Sequence, residues 1–432
     1  MLARVLYAGT HNPSFEQASQ ALRQLADLSV PTKQVERLTQ RLGVERCAER
    51  DAAVAAYRQR PLVERKAPPA AVAAPDLAVV QMDGGRLQIL DRSQPAAALG
   101  LSARVTPLPE TAAAAAAAAV PPTAAIAAAV ASQPAGHWRE DKVGLLATMT
   151  SPVSAVDPCP QLPEHFVDPL RILKLTREIK GATGVTEEEV ATLTPAPATA
   201  APEQATRYTA PILEQRSVVA TRANVNQFGD MLAQAAWERG FYGAERRAFV
   251  ADGSSANWGV WERHFSNFVP IVDFIHALTY VFHGAMAGRS FTLGWAAYTA
   301  WIAQVWAGDI EAVIAALAQR QVELGPPAKD EAETSPRHRV AAALSYLQNQ
   351  KERMRYAAYR KQGLPMTSSH IESTIKQINQ RVKGTEKFWS EAGAEAILQL
   401  RADTLSETEP LVGFWERRQA AATGQRRYSR AG

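Results

Sequence analysis

Eight consecutive alanines, Ala112 to Ala119, sit inside a stretch from Ser93 to Gly136 dominated by Ala, Pro, Ser and Thr. This tract constrains the fold more than any other feature of the 432-residue chain. Such side chains bury too little apolar surface to offset chain entropy, so the segment is expected to be disordered or a transient alanine helix. Pro121 and Pro122 interrupt it, which rules it out as a membrane span. A second Pro/Ala linker covers roughly Leu193 to Glu203. The tract also inflates the hydrophobic content of 47%, so the real cores are smaller than that figure implies. The length predicts two or three compact units plus connecting material.

Charge decides little: 47 basic against 43 acidic residues leave +4, which permits a nucleic-acid partner without requiring one. Cys47 and Cys159 cannot form a disulfide framework, and neither has a second Cys or a His at zinc-ligand spacing. A reducing cytoplasm is the expected home. Met1 to Pro13 has no apolar stretch behind basic residues, so no secretory signal is expected.

Hydrophobic spacing orders the rest. Phe15, Ala18, Ala21, Leu22 and Leu25 share one helical face, and Val35, Leu38 and Leu42 another. The join ends in Pro31 and Thr32, with Thr32 expected as the N-cap. The pattern fits a helix-turn-helix presenting Lys33, Gln34, Arg37, Gln40 and Arg41 outward, and equally an ordinary helical hairpin with a solvated basic face. Leu77 to Met82 reads as a buried strand, and Leu87 to Leu90 as its antiparallel neighbour across an Asp83-Gly84-Gly85 turn. His137 to Leu145 is a third strand, Pro169 to Lys180 a helix, and Asn224 to Arg239 an amphipathic helix. Short strands at Arg247 to Gly253 and Phe268 to Phe274, with a helix entered at His276, predict parallel pairing through crossover helices. Helical periodicity alone fills Ala277 to Lys361, broken by a polar loop from Gly325 to Arg337. Ser369 to Val382 is a helix with Ile371, Ile375, Ile378 and Val382 on one face. The tail carries Arg417, Arg418, Arg426, Arg427 and Arg430, and residues 351–432 hold 15 basic against 9 acidic side chains.

Three carboxylates stand at element ends: Asp83, Asp252 and Glu372. If the first strand is central, Asp83 and Asp252 are neighbours at the strand ends where open α/β sheets bind ligands, and a helix across that edge adds Glu372. Three carboxylates repel one another unless a cation lies between them, and an oxygen-rich set suits Mg²⁺ or Mn²⁺. The chemistry implied is two-metal phosphodiester cleavage and transfer. Each residue also has a structural explanation. Asp-Gly pairs are common in turns, and Glu372 fits a capping box with Ser369.

The local sequences are more specific. Val79-Val80-Gln81-Met82-Asp83-Gly84, Trp138 to Val143, Val250 to Gly253 running on to Ile271-Val272-Asp273-Phe274-Ile275-His276-Ala277, and Ser368-Ser369-His370-Ile371-Glu372-Ser373 with Lys376, Arg381, Lys383, Trp389 and Gly393 to Arg401 resemble the ISKra-type transposases of bacterial insertion sequences. The resemblance runs in patches from Phe15 to Arg401. It implies a DDE enzyme with an RNase H-like core, Asp83, Asp252 and Glu372 as catalytic and metal-holding acids for two Mg²⁺ or Mn²⁺ ions, and Asp273 with His276 as an accessory [Cys/Asp]-x-x-His element. It further implies double-stranded DNA as partner, at element ends and target, a homodimer on paired ends, and a nucleoid-associated place in a bacterial cytoplasm. DNA phosphates would meet Lys33, Arg37 and Arg41 from the N-terminal segment, and Lys376, Arg381, Lys383 and Lys387 after Glu372. Relatives carry a Cys-rich, zinc-binding stretch ahead of the helix-turn-helix-like segment that this sequence lacks, so truncation is one expectation.

The expected fold is therefore α/β: an RNase H-like mixed sheet interrupted by an all-α insertion, with an N-terminal helical segment and disordered Ala/Pro linkers. Residues 1–75 form the helix-turn-helix-like segment, 76–276 the first part of the core, 277–362 the insertion, and 363–432 the last core helix and basic tail. Trp295, Tyr298, Trp301, Ile302, Val305 and Trp306 have the spacing of a base-stacking platform or, more simply, of a core helix. Trp389 is likewise read as packing. Two rival functions remain open at this level: a DNA-binding protein derived from a transposase and without chemistry, and an RNase H-like nuclease that cuts without joining.

Overall fold

The continuous apolar run Leu77–Val80, followed by Met82, Leu87 and Ile89, forms one strand of 13 residues, β1 (Leu77–Ile89), and not the two strands that the Asp83-Gly84-Gly85 sequence predicts. No turn forms there, because the partner is β2 (Trp138–Thr150), which pairs antiparallel across the whole stretch with Asp83 opposite Val143 and Gly85 opposite Asp141. A Cβ on Gly85 would lie 2.8 Å from the Asp141 carboxylate, so the glycine serves close side-chain approach within a sheet rather than a turn. Tertiary pairing has overridden local turn chemistry.

The computed structural model describes residues 1–90, 138–181, 185–186, 189–190, 208–384 and 387–422. The Ala/Pro tract, the linker at 193–203 and Arg426, Arg427 and Arg430 lie outside the described residues. β3 (Ile212–Thr221) pairs antiparallel with β2, with a register shift at Thr148 and Met149. On the other side of β1, β4 (Arg246–Ala251) and then β5 (Val269–Val272) run parallel, giving the order β3-β2-β1-β4-β5. The short β6 (Phe388–Trp389) extends the far end of β1. The chain is thus α/β with a mixed six-stranded sheet, and β1 is central, with parallel strands where the sequence predicts them.

Helices occupy both faces because successive strand side chains point to opposite sides. In chain order they are α1 (Leu2–His11), α2 (Phe15–Ala26), α3 (Thr32–Gln59), α4 (Pro169–Lys180), α5 (Val225–Glu238), α6 (Ser255–His264), α7 (Phe274–Met286), α8 (Phe291–Ala307), α9 (Ile310–Leu324), α10 (Pro336–Gln350), α11 (Ser369–Val382), α12 (Glu391–Leu405) and α13 (Pro410–Ala420). Two short α-helical pieces, Leu62–Arg65 and Tyr356–Lys361, and three 3-10 turns, Glu164–Phe166, Phe241–Gly243 and Lys351–Arg353, are also described. On one face Leu87, Val143, Leu145 and Val218 pack against Ile371, Ile378 and Val382 of α11 and Ile397 and Leu398 of α12. The opposite face joins Val80, Met82 and Leu146 to Phe228 and Leu232 of α5. Each such fully buried side chain contributes about 1.5–3 kcal/mol.

The helical block foreseen from Ala277 onward is present, and its core is continuous with that of the sheet, from Val79 through Phe282 and Tyr298 to Leu347. Tyr298, Trp301, Ile302, Val305 and Trp306 are buried in it, so the aromatic spacing is that of a core helix, with Tyr298 and Trp306 donating to the carbonyls of Phe166 and Cys159. At the other end α1, α2 and α3 form a cluster around Val5, Ala18, Leu22 and Val35. Thr32 is the first helical residue and Pro31 the N-cap, and α3 continues for 28 residues, well past Leu42, the last residue of the apolar face read from the sequence. Its second half lies on α12, tied by Arg46, whose guanidinium takes both oxygens of the buried Asp403 at 2.9 and 3.2 Å. Among the described residues no helix is long and apolar enough to cross a membrane.

Candidate functional site

Asp83 follows Gln81 on the face of β1 that α11 covers, since side chains two apart share a face. Gln81 is fully buried and spans the gap to α11: its amide donates to the Thr367 carbonyl at 3.2 Å and its oxygen accepts from the Ile371 amide at 3.1 Å. The first turn of α11, which carries Glu372, is thereby fixed beside Asp83. Ser368, not Ser369, is the N-cap of α11, and its side chain makes no capping bond, so the capping-box explanation of Glu372 does not hold. The Glu372 amide donates to the Ser368 carbonyl at 3.2 Å, while its carboxyl makes no hydrogen bond or ion pair with the described residues.

Asp252 follows the last residue of β4. Its Oδ1 accepts from the Ser254 amide at 2.9 Å and from Asn257 Nδ2 at 2.8 Å, which orients the carboxylate and leaves Oδ2 for a ligand. Asp83 Oδ1 accepts from the next amide, Gly84 N, at 2.7 Å. Asp273 follows the last residue of β5 and is wholly buried. Its Oδ1 caps α7 by accepting from Ile275 N at 2.6 Å, while Oδ2 accepts from Ser368 N at 3.0 Å and from the Ser368 hydroxyl. One side chain therefore joins the end of β5 to the start of α11. His276 Nδ1 lies 3.4 Å from the same Oδ2.

Among the described residues, Asp273, His276 and Glu372 form a group whose ligand atoms all lie within 4.8 Å of one another. Asp83 and Asp252 stand outside that spacing but belong to the same electrostatic cluster. Burial pushes the Asp83 carboxyl above the usual range, and the charges of Asp252 and Asp273 add to this, against the Gly84 amide and His276. Burial likewise raises Glu372, helped by Asp273 and Asp83 and opposed by His276 and Lys376. Asp273 is also buried, yet its bonds from His276, Ser368 and Ile275 hold it below the usual range. Burial would depress the His276 imidazole, but Asp273, Asp252 and Asp83 together raise it. Four carboxyl groups are thus set about one imidazole, with Lys376 opposing them only at Glu372.

The donor set suits a hard divalent cation: Asp83, Asp252 and Glu372 offer carboxyl oxygens, and in Asp83 and Glu372 burial and neighbouring acids disfavour the charged form, a cost that a cation would remove. Asp273 fits this role poorly, because both its oxygens are committed to α7 and Ser368.

The basic residues foreseen as DNA contacts divide. Lys33, Arg37 and Arg41 are exposed on the first turns of α3, Lys33 pairing with Glu36 at 2.8 Å. Lys376 and Lys383 are exposed, and Lys383 Nζ sits 5.5 Å from the Trp138 ring. Arg381 is 3% exposed and cannot reach a phosphate. Its guanidinium lies between the rings of Phe15 and Trp389, and it donates to the carbonyls of Gly9 and Pro13, so it ties the α1–α2 turn to α11. Lys387 Nζ is spent on the carbonyls of Gln380 and Arg381. Trp389 is buried and donates to the Val382 carbonyl at 2.9 Å, as a packing residue does. In the tail, Arg417 and Arg418 pair with Glu49 and Glu45 of α3.

Sequence reasoning missed Gln81, Asn257, Ser368, Tyr346 and Gln350. For Gln81 a signal existed, since it is a polar residue inside the apolar run Leu77 to Met82, two positions before Asp83. No local pattern links the others to the cluster. The sequence matches no protein-family model, and no curated protein matches it significantly.

Proposed function

We propose that the protein is a DDE transposase that cleaves and joins DNA strands at the ends of an insertion sequence, with Asp83, Asp252 and Glu372 as its catalytic carboxylates. The observation that carries this reading is the meeting of acids from β1, the end of β4 and the first turn of α11 in one electrostatic cluster in which burial and neighbouring acids raise Asp83 and Glu372. The mixed sheet, its central β1 and the helix laid across the strand edge are consistent with an RNase H-like core, and the local resemblance to ISKra-type transposases supplies the reaction class.

Asp83 and Asp252 would hold one Mg²⁺ and Glu372 would complete the site of a second. When bound, such ions activate the attacking oxygen and stabilise the leaving one. The chain's own contribution is positioning. Gln81 and Asp273 fix the start of α11 and with it Glu372, while Ser254 and Asn257 orient Asp252. The reaction proposed is hydrolysis of a phosphodiester to leave a 3′-hydroxyl, followed by attack of that hydroxyl on target DNA with displacement of a target 3′-oxygen. The exposed Lys33, Arg37 and Arg41 on α3, with Lys376 and Lys383, are proposed to contact duplex phosphates, and a homodimer on paired ends is proposed to be the working form.

The test uses the full-length protein and a plasmid carrying the DNA that flanks its gene. Mg²⁺-dependent nicking followed by joined products supports the reading. Nicked products that are never joined identify a nuclease, and salt-sensitive DNA binding without cleavage identifies a binding protein.

A further inference from the structure

We propose that Tyr346 and Gln350, on α10 of the helical insertion, are positioning residues that set the direction of the Asp252 carboxylate; this rests on the reading of Asp252 as a catalytic acid. β4 ends at Ala251, so the Asp252-Gly253 backbone beyond it has no strand partner to hold it. The insertion supplies the missing restraint. Tyr346 Oη donates to the Asp252 carbonyl at 2.7 Å, and Gln350 Nε2 donates to the Gly253 carbonyl at 3.0 Å. A spacing of four puts both side chains on one face of α10.

The tyrosine is itself immobilised. Its ring is stacked on Tyr280 of α7 at 3.7 Å with planes 13° apart, and Lys180 lies over the Tyr280 ring at 3.8 Å. Gly253 has φ +101°, a conformation that disfavours any side chain, and a Cβ there would lie 2.8 Å from the Tyr346 ring. The turn and the ring are therefore in contact, and the hydroxyl cannot leave the Asp252 carbonyl without disturbing the stack. Misplacement of a metal-holding carboxylate by a fraction of an ångström is enough to weaken a site. The segment inserted between β5 and α11 is on this account part of the active centre rather than an appendage.

The experiment uses the full-length chain and Mn²⁺, whose free concentration is read by its paramagnetic resonance signal. Tyr346→Phe keeps the ring and its stack and removes only the hydroxyl, while Gln350→Leu removes the second donor and tests the same clamp if the first variant folds poorly. Each variant is expected to weaken Mn²⁺ binding by about tenfold. Each is also expected to shift the Mg²⁺ requirement for cleavage upward by a similar factor, with cleavage restored at saturating metal and DNA affinity unchanged. A merely structural role would instead lower the melting temperature and the rate at every metal concentration. Wild-type Mn²⁺ affinity in both variants, beside loss of binding in Asp252→Asn, overturns the clamp alone. If Asp252→Asn itself binds Mn²⁺ and cleaves normally, the catalytic reading fails and the clamp with it.

Discussion

Two buried clusters of charge in this molecule are built on opposite plans. Along the seam between α3 and α12, each charge meets its opposite. Arg46 takes Asp403 in a two-pronged pair, and Arg50 reaches Glu395 Oε1 at 2.9 Å and Gln399 at 3.0 Å. The remaining Glu395 oxygen accepts from the Arg222 amide at 2.8 Å. Where the middle of β1, the end of β4 and the first turn of α11 come together, by contrast, Asp83, Asp252, Asp273 and Glu372 share one electrostatic cluster with His276, and Lys376 acts at Glu372 alone. Paired charge holds two helices together. Unpaired charge of one sign destabilises the metal-free fold and is retained where it binds something, which is why the second cluster and not the first reads as a site.

The largest expected effect separates the two clusters by activity. Asp83→Asn should reduce Mg²⁺-dependent cleavage at least a thousandfold, about 4 kcal/mol of barrier. It should also raise the melting temperature of the metal-free protein, because burial and neighbouring acids disfavour the charged carboxylate. A variant that unfolds would break the contrast. Asp403→Ala should do the reverse, costing about 3 kcal/mol in denaturant unfolding by leaving Arg46 buried without its partner, and a loss below about 1 kcal/mol would show that Glu49 alone holds Arg46.

A third, smaller effect concerns Asp141, 1% exposed beside Gly85 with neither oxygen hydrogen-bonded. Burial pushes its carboxyl up to about 6 from an ordinary 3.8, so the native state keeps its proton at a pH where the unfolded chain has lost it. Stability should therefore fall as pH rises from about 4 through about 6. Asp141→Asn should recover on the order of 2–3 kcal/mol above that range and nothing below it, read from unfolding midpoints across pH. The smallest effect sorts the basic residues. Arg37→Ala should lower the salt dependence of DNA binding by about one counterion, whereas Arg381→Met should lower the melting temperature and leave that slope alone.

Elements whose signal is local were legible. Ser369–Val382 begins and ends where its apolar spacing predicts, and Pro169–Lys180 does the same behind an Asp168 cap. The parallel strands before Asp252 and Asp273 were also foreseen, because a short apolar run followed by a helix needs a crossover. The unbroken run of β1 through Asp83-Gly84-Gly85, where the sequence predicts a turn, was not, since these glycines obey a partner strand 56 residues away in sequence, Gly85 against Asp141. Arg381 shows the same limit from the other direction. Beside Lys383 and Lys387 it reads as part of a basic face, yet it is buried between Phe15 and Trp389, which no spacing within α11 discloses.

The sequence by itself determined which acids follow β4 and β5 and stand in the first turn of α11, and where the long Ala/Pro segments lie, because caps, strand ends and composition are written in neighbouring residues; its placing of Asp83 at a strand end fails, since β1 runs on to Ile89. Only the tertiary structure decided which of those acids meet. It made Asp273 a strut between β5 and α11 and left Glu372 unpartnered. It also brought Tyr346 and Gln350 from the insertion onto the backbone of Asp252 and Gly253. Those outcomes depend on hydrogen bonds between groups roughly a hundred residues apart, and the energy of such a bond is set by where the chain has folded, not by what stands next to it in the chain.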